Sequence, residues 1–248
     1  MDELLFSCVM GTAAGILGTG LGGIIGFVLN NPGRRFLSTL LNFSAGLMIA
    51  VVCFDLLPEA FEIGGFGVSI GGVCLGVVMI IACDEAITSW RSDFKRNTAS
   101  ISQYIKTGIL LGIGIALHNF PEGLAIGSGF TAMESYGVGL SLVIAFHDVP
   151  EGIAMAAPMR IGGMGRWKVF LAAVIAGVPT GIGALVGYLL GEISPYFISL
   201  CLGFAGGAML YITCLELIPR SRDLYRGRIP GLGLIMGVIA GILVSSLL

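Results

Sequence analysis

Long apolar runs occupy most of this chain and leave few folds open to it. Only 11% of the 248 residues are charged, and the mean hydropathy is +0.97. A helix of about 20 apolar residues crosses the ~30 Å hydrocarbon core of a bilayer. The sequence therefore predicts an all-α membrane protein with eight transmembrane helices, in which no segment remains for a separate soluble domain. The eight runs lie near residues 4–29, 36–57, 66–87, 105–130, 137–159, 167–190, 196–217 and 230–247.

The basic residues predict how these helices are oriented. All 13 Lys and Arg follow runs one, three, five and seven, whereas the other three connections carry acids and no basic residue. Because positively charged loops stay in the cytoplasm, both termini are predicted to lie outside. The basic loops are read as orientation signals, and the sequence indicates no nucleic-acid surface.

Two related hexapeptides lie in the middle of the chain, inside runs four and five. They are His118-Asn119-Phe120-Pro121-Glu122-Gly123 and His147-Asp148-Val149-Pro150-Glu151-Gly152, and an offset of 29 residues relates them. The same offset relates Ile115-Ala116 to Ile144-Ala145. Ionisable side chains are rare and costly inside a membrane, so their presence in both copies indicates function.

The spacing within each hexapeptide suits a metal ion. Residues four apart share a helix face, so each His projects beside the Glu of its own copy, with Asn119 or Asp148 adding an oxygen. Pro121 and Pro150 predict a kink in each helix. Nitrogen and oxygen donors together suit Zn²⁺, Fe²⁺, Mn²⁺, Co²⁺ or Cd²⁺. The alternative, proline kinks with polar groups satisfied by neighbouring helices, does not explain why both copies keep His and Glu. The predicted ligands are His118, Asn119, Glu122, His147, Asp148 and Glu151.

A second internal repeat surrounds the first. A shift of 161 residues places residues 19–26 on 180–187, Asp55 on Glu216 and Pro58 on Pro219. The matched runs are separated by an odd number of crossings, so they traverse the membrane in opposite directions. The sequence thus predicts a single transporter domain over 1–248. It consists of repeat one (1–90), two central helices (105–159) and an inverted repeat two (166–248), the 3+2+3 arrangement typical of secondary transporters.

Acids near the ends of other runs are weaker site candidates. Asp55 lies near the outer end of run two, and Glu216 near the inner end of run seven. We predict that they are entrance and exit ligands for a cation, with Asp84 and Glu85 as further candidates. The alternative is that each is an ordinary interfacial acid, solvated or at a helix end before proline.

At these residues the sequence resembles the ZIP (Zrt/Irt-like) family of metal-ion transporters, over nearly the whole chain. The resemblance implies uptake of divalent transition metals, with Zn²⁺ first, into the cytoplasm through a binuclear site on helices four and five. It also implies a homodimer in the cytoplasmic membrane of a prokaryote. No prosthetic group is expected, and the partners are the metal ion and the lipid bilayer.

The resemblance further implies how the ligands divide. His118, Glu122 and Glu151 would hold the main ion, with His147 or Asp148 completing its shell. Asn119 and Asp148, with the same two glutamates bridging, would hold the second. Some similar prokaryotic members have a Glu before Pro in helix six as a ligand to the second ion, and Thr180 stands at that place here.

Two other functions compete with transport. An intramembrane metal-dependent hydrolase would need a general base beside its ligands, and the sequence has no His-Glu-x-x-His motif. A metal sensor would need no transport path. The inverted repeat favours a transporter over both.

Overall fold

Helices make up nearly all of residues 3–28, 33–97 and 103–246, which are the residues that the computed structural model describes; for residues 87–97 and 103 it describes the backbone alone. Three parts of the predicted organisation lie outside these ranges. They are the ends of runs one and eight, at residues 29 and 247, and residues 98–102 of the connection after run three. The α-helices are α1 (Glu3–Val28), α2 (Arg34–Val51), α3 (Leu57–Asn97), α4 (Gln103–Ala132), α5 (Glu134–Ile161), α6 (Arg166–Gly191), α7 (Pro195–Ile212), α8 (Ile218–Leu224) and α9 (Arg228–Ser245). Two π-helical segments, Val52–Leu56 and Thr213–Leu217, separate α2 from α3 and α7 from α8.

The predicted all-α membrane class is confirmed, and the count of eight spans stays a prediction. In the described ranges, seven helical stretches are long and apolar enough to cross a membrane. Runs two and three are joined in one stretch of 53 residues, Arg34–Ala86. Gly65 interrupts that stretch with φ 74° and ψ 167°, a conformation that glycine adopts far more readily than other residues.

Helix α3 also extends further than its apolar run. The predicted runs lie near residues 66–87 and 105–130, whereas α3 continues to Asn97 and α4 begins at Gln103. Hydropathy marks where a helix leaves apolar surroundings, and backbone hydrogen bonding continues beyond that point. The connection is therefore shorter than predicted.

The helices pack in two groups. In one, α1 contacts α5 and α6, and α4 contacts α5 and α6; in the other, α3 contacts α7 and α2 contacts α9. Contacts of α4 with α7 and of α5 with α2 join the groups. In α5, 72% of the most apolar stretch is buried, against 22% in α9, so the hexapeptides lie in the interior.

Glycines bring backbones into direct contact within the first group. A Cβ on Gly22 of α1 would overlap the carbonyl oxygen of Val149 in α5, and one on Gly183 of α6 would overlap that of Phe120 in α4. The two glycines are 161 residues apart, and the two carbonyls are 29 apart. Small residues thus permit the close helix approach that stabilises membrane bundles.

The π-helical segments occur where a proline removes a backbone donor. Pro58 cannot donate to the carbonyl of Phe54, and Pro219 cannot donate to that of Leu215, so the preceding turn widens. The N–H of Leu57 instead bonds to the carbonyl of Val52, five residues back. Thr213–Leu217 has the same geometry. Asp55 and Glu216 each lie in one of these segments, whereas α4 and α5 are continuous through their own prolines.

Element bounds and hydrogen bonds recur at the same 161-residue shift. Helix α2 and its π-helical segment cover 34–51 and 52–56, while α7 and its segment cover 195–212 and 213–217. The Ser38 hydroxyl donates to the Ser221 carbonyl (2.7 Å). At the shifted positions, the Ser199 hydroxyl donates to the Ala60 carbonyl (2.9 Å).

The close glycine contacts predict a position-specific loss of stability. Gly22→Ala and Gly183→Ala should each destabilise the folded protein by about 1–3 kcal/mol, because the added methyl group overlaps a backbone carbonyl. Gly71→Ala is the matched control, since a Cβ there meets nothing within 4 Å. The measurement is thermal unfolding in detergent. Equal melting temperatures for Gly22→Ala and Gly71→Ala would contradict the packing described.

Candidate metal centre

The predicted ligands come together where α4 crosses α5. Their placement follows from the sequence, because His and Glu four residues apart lie on one face of each helix. The structure buries all of them: His118 is 3% exposed and Glu151 1%, and the remaining four are 0% exposed. The fold itself brings these residues together in one buried group. Their binding of a metal ion stays a prediction.

Each histidine is hydrogen-bonded to the glutamate of the other helix. The Nε2 atom of His118 lies 2.9 Å from Oε2 of Glu151, and Nε2 of His147 lies 2.9 Å from Oε1 of Glu122. The 29-residue offset exchanges these two pairs. Spacing along one helix predicted side chains that project together; the crossing of two helices decides which of them meet.

Three side chains form a cluster with the dimensions of a metal site. One ligand atom from each of Glu122, His147 and Asp148 lies within 4.8 Å of the others, and this is the one such group of three among the residues whose side chains are described. The Nε2 atom of His147 is 3.6 Å from Oδ1 of Asp148. One imidazole and two carboxylates form a donor set that Zn²⁺ and similar ions accept.

Several buried polar atoms in this group have no hydrogen-bond partner. They include Oε2 of Glu122, both carboxylate oxygens of Asp148, Oε1 of Glu151 and Nδ1 of His147. A buried polar atom without a partner is costly, and a buried carboxylate oxygen more so. A divalent cation would satisfy the carboxylate oxygens, so the residues present fit a bound metal ion.

Asn119 and Thr180 mark the border of the group towards α6. The side-chain nitrogen of Asn119 donates to the carbonyl of Ala176 (2.8 Å), and its Oδ1 has no partner. Thr180 is 0% exposed, and its hydroxyl oxygen also has no partner. The structure thus places the neutral hydroxyl of Thr180 at the position where the family resemblance implies a glutamate in some prokaryotic members.

The outer candidate acids differ from one another. Asp55 was expected near water, but it is only 7% exposed and accepts a hydrogen bond from the Ser245 hydroxyl (2.5 Å). Helix α9 covers it, a contact between residues 190 apart in sequence. Glu216 and Asp84 are part-buried, and both line a small cavity that reaches His118. Glu85 is exposed.

Two contacts, one at the central group and one at Asp55, involve residues that the sequence analysis missed. The Ser44 hydroxyl of α2 donates to the backbone carbonyl of His147 (3.2 Å), and the Ser245 hydroxyl donates to the carboxylate of Asp55. A serine in an apolar run gives no sequence signal of such a role. The π-helical turns did have a signal, since a proline follows each acid by three residues.

A bundle of membrane-length helices with a buried nitrogen-and-oxygen cluster defines the class of polytopic metal-ion transporters. Residues 92–248 match the family described as ZIP Zinc transporter. The chain is also 33% identical to the zinc transporter ZupT of Chlorobium chlorochromatii, with 99% of this chain and 97% of that protein covered. It is 32% identical to ZupT of Nitratidesulfovibrio vulgaris (94% and 92% covered) and 30% identical to ZupT of Streptococcus mutans (99% and 97% covered).

The chain therefore belongs to the ZIP zinc transporter family. It is a multi-pass membrane protein that transports divalent metal ions, and it is not an enzyme. The resemblance stated from the two hexapeptides is confirmed, and the hydrolase and sensor alternatives are set aside.

Proposed function

We propose that this protein carries Zn²⁺, and with lower preference Fe²⁺, Mn²⁺, Co²⁺ and Cd²⁺, across the cytoplasmic membrane into the cytoplasm. The observation that carries this proposal is the buried group on α4 and α5, whose unpartnered carboxylate oxygens belong to residues near the middle of two membrane-length helices. The names of the relatives support Zn²⁺ as the main substrate. The six predicted ligands line the substrate site.

In this proposal the chain crosses the membrane eight times, because the stretch Arg34–Ala86 is too long for one span. At 1.5 Å per residue its 53 residues would extend about 80 Å, against a ~30 Å core. Gly65 breaks the helix between its two halves. The Ser69 hydroxyl on one side of the break donates to the Ala60 carbonyl on the other (2.8 Å), a contact that supports reversal of the chain there.

The proposed architecture is the 3+2+3 inverted repeat within a single domain over 1–248, with both termini outside. Support comes from the shared 161-residue shift of helix bounds, serine hydrogen bonds and glycine contacts. Inverted repeats around a central site allow a transporter to expose that site to either side in turn. The close glycine contacts of α1 and α6 with α4 and α5 would let that group move as a unit.

In this proposal the outer acids relay the ion. Asp55 lies on the entrance side, where it accepts a hydrogen bond from Ser245 of α9 and is only 7% exposed. Glu216 and Asp84 lie on the exit side, in the cavity that reaches His118. The ion would leave the central group through that cavity.

The homodimer implied by the family is also part of the proposal. Large apolar side chains of α9, such as Leu232, Ile235 and Leu243, are more than half exposed. In a membrane these side chains face lipid or a second copy of the chain, so cross-linking in native membranes is the appropriate test.

Uptake should depend far more on the central glutamates than on the relay acids. Glu122→Ala and Glu151→Ala should each abolish uptake of Zn²⁺, because the ion would then sit in a low-dielectric site with too little negative charge. Asp55→Ala and Glu216→Ala should slow uptake yet leave a measurable rate, because both acids lie outside the central group and its six predicted ligands remain in place. The measurement is ⁶⁵Zn²⁺ uptake by cells, normalised to protein in the membrane.

The matched control for these variants is Glu134→Ala, which removes an exposed acid from the first turn of α5. It should transport as the parent does. Near-parental uptake by Glu122→Ala or Glu151→Ala would refute the assignment of the central group as the substrate site.

The proposed orientation predicts which positions can be labelled from outside the cell. In a background without the six native cysteines, cysteines placed at the exposed positions Glu62, Glu134 and Glu192 should react with an impermeant maleimide outside the cell. Exposed positions on the cytoplasmic side should react only after the membrane is permeabilised; they are Arg35, Arg166 and Arg222. Labelling of both sets in intact cells would rule out the eight-span inverted repeat.

A further inference from the structure

A narrow cavity leads away from the central group, between α4, α5 and the π-helical segment Thr213–Leu217. It is lined by His118 and Glu151 of the group and also by Glu216 and Arg220. Its volume is about 10 Å³, which is close to the space that a water molecule needs. An ion in this cavity would therefore lie very close to the side chains that line it.

Glu216 lies beside the central group in this cavity. Gly114 is one helical turn before His118 on α4, and a Cβ built on Gly114 would lie 3.7 Å from Oε2 of Glu216. Residues four apart share a helix face, so the carboxylate of Glu216 lies against the face of α4 that carries His118. The same three residues also line the small cavity that includes Asp84. Both small cavities thus adjoin Glu216.

Arg220 lines a second and much larger cavity as well, which we call the vestibule. Its volume is about 690 Å³, and its charged lining residues are Arg34, Arg220 and Asp223. The narrow cavity and the vestibule share four lining residues, which are Leu41, Leu111, Ala154 and Arg220. Of these four, Arg220 alone carries a charge. A cation that moved from the central group to the vestibule would therefore pass a guanidinium.

The inverted repeat gives opposite charges to the two ends of the proposed path. The 161-residue shift that places Asp55 on Glu216 also places Glu59 on Arg220, and both of these shifted residues are part-buried. The entrance side thus has an acid one turn after Asp55, whereas the exit side has an arginine at the equivalent position. An acid near the entrance attracts cations, and an arginine beside a narrow exit repels them.

We propose that Arg220 is an electrostatic barrier on the exit path, and that its guanidinium opposes the passage of cations between the central group and the vestibule. This inference rests on the proposed function. In a passage this narrow a divalent ion has to come close to the guanidinium, and like charges repel strongly in partly buried surroundings. An ion that reaches Glu216 also competes with this cation, which is four residues further along the chain. The barrier slows loss of the ion to the vestibule and hinders cytoplasmic cations from entering.

The test is the rate at which sealed liposomes that contain the purified protein and a zinc-sensitive dye fill with external Zn²⁺. Arg220→Gln should fill about threefold faster than the parent or more, because removal of a like charge lowers the barrier. Arg220→Lys keeps the charge and should fill at the parental rate. The matched control is Arg222→Gln, which removes an exposed arginine of α8 that lines neither cavity and should also leave the rate unchanged.

A second measurement separates the charge of Arg220 from its size. In a background without the six native cysteines, Arg220→Cys should fill faster than the background protein. Reaction with aminoethyl methanethiosulfonate adds a positive charge to the cysteine and should restore slow filling. Reaction with methyl methanethiosulfonate adds a neutral group and should leave filling fast. Gel filtration with thermal unfolding checks that each variant is folded.

The results that would contradict the barrier are distinct from those that would contradict transport. A folded Arg220→Gln that fills at or below the parental rate would overturn the inference. Equal filling of Arg220→Cys after the two reagents would overturn it too. A folded parent that gives no filling at all would instead refute the proposed function, and the inference would fall only as a consequence.

Discussion

The burial of three carboxylates at the centre of a membrane-length bundle is the constraint that the rest of the structure accommodates. Glu122, Asp148 and Glu151 are each at most 1% exposed. Unpaired charges in such a place cost several kcal/mol apiece. Hydrogen bonds from the two histidines satisfy one oxygen of each glutamate, and the other carboxylate oxygens have no hydrogen-bond partner. A transport substrate with two positive charges is what this arrangement suits.

The glycine-rich helices on either side make that burial possible. Gly22 of α1 and Gly183 of α6 let backbones lie directly against α5 and α4. The six predicted ligands are at most 3% exposed, and the attraction between a carboxylate and a cation is stronger in such a buried place than at a surface. The same close contacts join α1, α4, α5 and α6 into one unit that can carry the site.

The sequence predicted the central group well because the relevant signals are local. His and Glu four residues apart share a face whatever surrounds the helix, and the 29-residue offset showed that two such faces exist. The offset could not show that His118 meets Glu151, since that depends on how the helices cross. Nor could it show that Ser245 covers Asp55, a contact across 190 residues. Helix ends were misjudged where α3 continues beyond its apolar run.

Filling of sealed liposomes is the most direct test of the claim that this buried group is a transport path. Liposomes containing the purified protein and an enclosed zinc-sensitive dye receive external Zn²⁺, and the rise in fluorescence is compared with that in protein-free liposomes. The account predicts filling with the parent and none above background with a His147→Ala, Glu151→Ala double variant. Equal filling by the parent and the double variant, or no filling by a folded parent, would contradict it.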